Sequence, residues 1–134
     1  MNIQFHLDKA SAFDASLAKL DPLQDSALYV VYLMRAGTNR VNAALHALGA
    51  TVDAFPIPAG PIGDLNHTYK PVLAVPVPEK MREPFRDLAF LENLRPDYVR
   101  GARTLDSNTA AACAAAYKRI RTATGHILEQ RGRA

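Results

Sequence analysis

Between Asp21-Pro22 and Gly49 the chain carries the pattern that most restricts its fold. An aspartate before a proline supplies an N-cap and then a first helical residue whose missing N–H costs nothing there. From that point Ala27, Val31, Met34, Thr38, Val41, Leu45 and Leu48 step alternately by four and three residues. This spacing lines side chains along one stripe of an α-helix and does not suit a strand, whose period is two. Gly49 follows where a left-handed C-cap residue is wanted. Together these marks predict a helix of about 27 residues, a rod of roughly 40 Å at 1.5 Å per residue. A rod of that length with one apolar stripe needs partners of similar length to cover it, so the expected fold is an all-α, up-and-down bundle.

The other elements fit the same architecture. Phe13, Leu17 and Leu20 repeat at helical spacing after Asp8 and predict a short first helix, whereas Ile3, Phe5 and Leu7 alternate as in a strand, leaving the first seven residues open to either state. Met81, Phe85, Leu88, Leu91 and Leu94 predict a helix that starts near Pro78, with Phe90 widening its apolar face and Pro96 ending it. The stretch DYVRGARTLD reads as a loop, after which Asp106 or Ser107 caps a final helix. In that helix Cys113, Tyr117, Ile120, Thr124 and Ile127 step four, three, four, three, among alanines that let a neighbouring helix come close. Six of the nine prolines lie between positions 56 and 78, which forbids a long helix or a central strand there. That segment is expected to be a crossover or a functional loop, with Gly63-Asp64 capping a brief helix that carries Leu65 and His67 and ends at Pro71. The sum is about four main helices with a proline-rich central connection, forming one domain over residues 1–134.

Composition excludes several classes. The 49% hydrophobic and 22% charged content is that of a globular protein, and no apolar run approaches the ~20 residues that cross a bilayer. The start, MNIQFHLDKA, lacks the basic segment and apolar run of a secretory signal, so a cytoplasmic location and no membrane partner are expected. The single cysteine, Cys113, allows no internal disulfide and no cysteine-cluster metal site, and among alanines it is expected to be a small buried thiol. His6, His46, His67 and His126 do not have metal-ligand spacing, no glycine-rich phosphate loop follows a strand, and no serine sits in a nucleophile elbow. Neither a metal nor a nucleotide cofactor is implied.

Charge is unevenly spread. Residues 1–97 carry 9 Lys and Arg against 11 Asp and Glu, whereas residues 98–134 carry 7 against 2. The excess gathers in KRIRTATGHILEQRGR, residues 118–133. Such a field attracts phosphates or acidic partners, and cations also suit the C-terminal half of a helix because they complement its dipole. A second polar constellation lies on the long helix, where Arg35, Asn39, Asn42 and His46 step four, three and four beside the apolar stripe. An arginine fork and amides with paired donors and acceptors suit a pocket for a small anionic ligand, or bonding to a neighbouring helix.

An all-helical bundle with Arg121 and His126 five positions apart resembles the HEPN superfamily, whose nuclease members use such a pair across a dimer interface to cleave RNA without metal. The loop DYVRGARTLD before an alanine-rich last helix is similar to the stretch these domains place before their fourth helix, and the likeness covers mainly residues 85–128. It implies that Arg121 stabilises charge on the scissile phosphate and His126 moves the proton of a ribose 2′-hydroxyl, with Tyr98, Arg100 and Arg103 holding backbone and base. In an unbroken helix, however, residues five apart point ~140° away from each other, so a catalytic pair needs a second chain or a turn loosened at Gly125. Nuclease members also usually follow the arginine with an amide, an acid or a histidine, where this chain has Thr122. The expectation is therefore a homodimeric interaction module that binds RNA or a partner protein without catalysis, the alternatives being a metal-independent ribonuclease and a bundle with an anionic-ligand pocket.

Overall fold

The computed structural model describes residues 2–51 and 77–132; the cap expected at Gly63-Asp64 and the brief helix with Leu65 and His67 lie outside them. Four helices make up the described fold: α1 Ile3–Leu17, α2 Ser26–Ala47, α3 Arg82–Glu92 and α4 Ser107–Gly132. One 3-10 turn, Glu79–Met81, leads into α3, and one turn of π-helix, Arg95–Val99, lies between α3 and α4. No strand occurs among the described residues, and the all-α bundle expected from the sequence is the fold observed.

Among the first residues, 3–7 are helical. Oδ1 of Asn2 accepts the backbone N–H of Phe5 at 2.7 Å and caps α1, so Asp8 is interior to the helix. The residues α1 buries are His6 and Ala10, with Phe13 and Leu17 half-buried below them, while Phe5 is exposed; the apparent strand alternation of Ile3, Phe5 and Leu7 does not mark a buried face.

The second helix begins later than its Asp21-Pro22 pair predicts. Oδ1 of Asp21 accepts the N–H groups of Leu23 at 2.9 Å and Gln24 at 3.2 Å, and Oδ2 of Asp25 accepts the N–H of Asp21 at 2.9 Å. These bonds close residues 21–25 into a turn, because an aspartate side chain satisfies backbone donors there without a helix. The helix is therefore 22 residues long, or about 33 Å. Ser26 at its start donates to the carbonyl of Pro22 at 2.9 Å and accepts the N–H of Leu105 at 2.9 Å, which anchors the segment before α4 to the start of α2. Its end is as expected: Gly49 has φ 73°, its N–H bonds the carbonyl of His46, and the N–H of Ala50 bonds that of Leu45, a Schellman cap that needs a left-handed residue.

Helix α2 runs through the middle of the bundle, packed by α1, α3, α4 and the π-turn, while α3 also packs on α4. The two long rods meet along their apolar seams as expected. Because α2 is covered on several sides, its buried set exceeds one stripe: Tyr29, Val30, Leu33 and Ala36 are buried together with Met34, Val41 and Leu45, whereas Ala27 is exposed and Val31 only half-buried. Gly37 allows close approach, since a Cβ there would lie 3.3 Å from Leu88 and 3.4 Å from Ile120. In α4 the five residues Cys113, Tyr117, Ile120, Thr124 and Ile127 are all buried, and Asp106 caps the helix by accepting the N–H of Thr109 at 2.7 Å, which holds its carboxyl below the usual range. Each fully buried Ile or Leu of this core contributes about 2 kcal/mol. Helix α3 buries Leu88 and Leu91, but Phe90 faces solvent rather than widening the apolar face, and the DYVRGARTLD segment begins in the π-turn rather than as loop throughout.

Candidate functional site

The basic end of the chain lies on the outward face of α4. With Cys113, Tyr117 and Ile120 turned to the core, helical geometry sends Lys118, Thr122, Gly125 and Glu129 to the opposite side. Lys118, Arg121, Thr122, Gly125, His126 and Glu129 line an open groove of about 600 Å³. A smaller one of about 380 Å³ lies beside it toward α3, between Glu83 and the residues Lys118, Arg119, Thr122, Ala123 and His126.

Two basic side chains of this face are loosely held. The Arg121 side chain is 60% exposed, with Nη1 at 3.7 Å from Oδ2 of Asp14, and that of His126 is 70% exposed, with Nδ1 at 3.8 Å from Oε2 of Glu129. Arg119 differs: its Nη2 donates to Oδ1 of Asp87 at 2.8 Å and its Nε to Oδ2 at 3.1 Å, a forked bond that raises its pKa further and ties α4 to α3. Helix α4 continues unbroken through Gly125. Arg121 and His126 of one chain therefore stand ~140° apart, on opposite rims of the groove, and do not converge on a single atom. What this face offers chemically is separated positive charge with room for a phosphate backbone.

No family model, curated protein or solved structure matches the chain.

The Arg35, Asn39, Asn42 and His46 stripe is not uniformly exposed: Asn42 is buried and Arg35 lies at the surface. Asn39 donates to the carbonyl of Arg35 at 2.8 Å, and its Oδ1 lies 2.8 Å from Nδ1 of His6 on α1. Asn42 is buried, His46 Nδ1 lies 2.6 Å from Oγ1 of the buried Thr51, and the His6 and His46 rings sit 5.5 Å apart. The stripe is thus largely the polar seam between α1 and α2, because the neighbouring helix supplies His6 as its partner. Arg35 is exposed, and His46 lines a surface groove of about 350 Å³ with Asn2, Ile3, Gln4 and Arg131.

Tyr98 is not placed to stack on a base. It is buried in the π-turn, and the Arg103 guanidinium lies 5.4 Å from its ring centre while Nη1 of Arg103 is 3.5 Å from Asp97. Arg100 is exposed on the same turn. Sequence reasoning missed Asp14, which reaches Arg121 from α1, and Glu129, which completes the α4 face. The second was legible as the residue four past Gly125 on the helix; the first was not, because nothing local links positions 14 and 121.

The described residues hold no group of three or more His, Cys, Asp or Glu arranged for a metal ion, and no helix long and apolar enough to cross a membrane.

Proposed function

We propose that the protein is a HEPN-like interaction module that binds RNA along the rims of the outward face of α4 and does not cleave it. The observation that carries this reading is the pair Arg121 and His126, both mainly exposed and both at the edge of one open groove on the most basic segment of the chain. An exposed arginine held only at 3.7 Å can trade that contact and its counterions for a phosphate, the main source of affinity for a nucleic-acid backbone. The divergence of the same two side chains across an unbroken helix favours binding over turnover, since general acid-base cleavage requires both groups within hydrogen-bonding reach of one reacting phosphodiester.

Fluorescence anisotropy with a single-stranded RNA tests the reading. Affinity is expected to fall steeply between 50 and 200 mM salt, and Arg121→Ala is expected to weaken binding and reduce the salt slope by about 0.7 for a single phosphate contact. In chelator the RNA is expected to remain intact with the parent and with His126→Ala alike. Binding that is absent or indifferent to salt would reject the reading, and cleavage abolished by His126→Ala would put a ribonuclease in its place.

A further inference from the structure

We infer that the smaller groove, between α3 and α4, takes a single guanine base of the bound RNA, and that the Glu83 carboxylate is the group that selects it. The inference rests on the RNA reading and deepens it, adding a base preference to a contact otherwise made through phosphates.

Two bonds between the helices set the shape of this groove. Arg119 of α4 donates to Asp87 of α3 at 2.8 Å, and Lys80, in the turn before α3, donates to Oε1 of Gln130 at 3.0 Å. Rising numbers on one helix meet falling numbers on the other, so the two run antiparallel. Glu83 lies one turn before Asp87 and Ala123 one turn after Arg119, so Glu83 stands across from Ala123, where the groove of about 380 Å³ opens. The small side chains of Ala123 and Thr122 leave the space. Arg119 bounds it at one end and His126, seven residues or about 10 Å further along α4, at the other. The Arg119 guanidinium is fixed by its fork to Asp87 and the His126 imidazole is mainly exposed; planar groups of both kinds stack on unpaired bases.

Glu83 is the one acid among the described residues that line this groove, in the company of a lysine, an arginine and a histidine. It is exposed, and no hydrogen bond joins it to another described residue; within the fold it acts on Arg119 through its field, after Asp87. A carboxylate accepts hydrogen bonds and donates none. It therefore favours a base edge that carries two adjacent donors, which guanine alone presents, as N1–H and N2–H on its Watson–Crick edge. Adenine and cytosine set their amino group beside an acceptor nitrogen, and uracil flanks its single N–H with carbonyls, so each of these turns a lone pair toward the carboxylate. The guanine bond is bidentate and charge-assisted, the stronger kind. Single strands leave that edge open to a protein, as duplexes do not.

Fluorescence anisotropy at fixed salt, with uridine hexamers carrying one central guanine, adenine or cytosine beside the all-uridine strand, tests the inference. The parent is expected to bind the guanine strand about tenfold tighter than the other three, the scale of one bidentate base contact. An inosine strand, which lacks the N2 amino group, is expected to fall between. Glu83→Gln replaces one acceptor oxygen by a donor and is expected to remove guanine's advantage, while the all-uridine strand binds no worse because a negative charge has left a groove beside phosphates. Circular dichroism and Tm are expected to stay unchanged, the side chain being exposed. Equal affinity of the parent for all four strands, a guanine preference that persists in Glu83→Gln, or an equal loss of guanine and uridine binding in that variant would each overturn the inference and leave the RNA reading standing. No binding of any strand by the parent would reject the RNA reading and this inference with it.

Discussion

Tyr117 on α4 donates its phenolic hydrogen to Oδ1 of Asp14 on α1, across 103 positions of sequence. Arg40 of α2 completes the clamp, with Nη2 donating to Oδ2 of Asp14 at 2.6 Å and Nε to the oxygen of Tyr117 at 2.9 Å. Three helices are thereby joined through one mainly buried charge pair, the Arg40 and Asp14 side chains being 13% and 21% exposed. Burial alone would lower the pKa of Arg40, but its bonds to Tyr117 and Asp14 outweigh that and raise it. Asp14→Ala removes the carboxylate and strands the guanidinium, and is expected to cost about 3 kcal/mol. Tyr117→Phe removes both bonds of the hydroxyl and keeps the ring, and is expected to cost about 2 kcal/mol, about 1 for each bond. Urea denaturation of both variants checks the order; equal losses would show that the ion pair carries little of the clamp.

The clamp also shows where sequence reading ends. The α4 core stripe was legible because five buried residues repeat at helical spacing on a helix with one buried face. The α2 stripe was legible only in part: a central helix covered on several sides has no single period, so Tyr29, Val30 and Leu33 fall outside any one stripe. His6 could not be recognised as a buried residue of α1, because its burial depends on Asn39, 33 positions away. The start of α2 was misplaced because Asp21-Pro22 suits a turn as well as a cap. At the candidate site the cations and their helix were legible, and so was the divergence of Arg121 and His126, which follows from helix geometry alone. The partners that anchor Arg119 and approach Arg121, namely Asp87 and Asp14, are long-range and were not.

The alkaline limb of stability should report two buried acids. Burial pushes the Cys113 thiol up to about 11, and burial with the bond to Asp14 pushes the Tyr117 phenol up to about 12, against the lowering effect of Arg40. Both groups bind their protons more tightly in the folded chain than in the unfolded one. Their stabilisation is therefore complete below the unfolded pKa values, about 8.5 for a thiol and 10 for a phenol, and is lost as pH rises toward 11 for Cys113 and 12 for Tyr117. A loss on the order of 2 kcal/mol from each is expected over that window. Denaturant midpoints from pH 8 to 12, with Cys113→Ala and Tyr117→Phe as comparisons, check it; a parent midpoint that stays level to pH 11 would contradict the thiol's share.

Thr38 offers a stabilising change. Its hydroxyl is buried in α2 and has no hydrogen-bond partner among the described residues. A buried unsatisfied hydroxyl carries its desolvation cost without return, and valine has the same shape without it. Thr38→Val is expected to raise stability by about 1 kcal/mol, seen as a higher urea midpoint with unchanged slope. A lower midpoint would show that the hydroxyl is satisfied in solution, for instance by water.

Gly101 is fixed by backbone crowding and not by an unusual φ. A Cβ there would lie 2.6 Å from the carbonyl oxygen of Asp97 and 2.9 Å from that of Pro96, contacts that a side-chain rotation cannot relieve because both atoms belong to the main chain. Accommodation must move the π-turn, which packs on α2 and carries Tyr98 into the core. Gly101→Ala is thus expected to cost about 1 to 3 kcal/mol, the usual penalty for overpacking. Gly125→Ala supplies the contrast, since the added methyl meets nothing in the chain and alanine is the better helix former, so it should stabilise the monomer by up to about 1 kcal/mol. Thermal unfolding of the two variants at low protein concentration separates the cases. Should Gly101→Ala unfold at the parent temperature, the π-turn is softer than its packing against α2 implies.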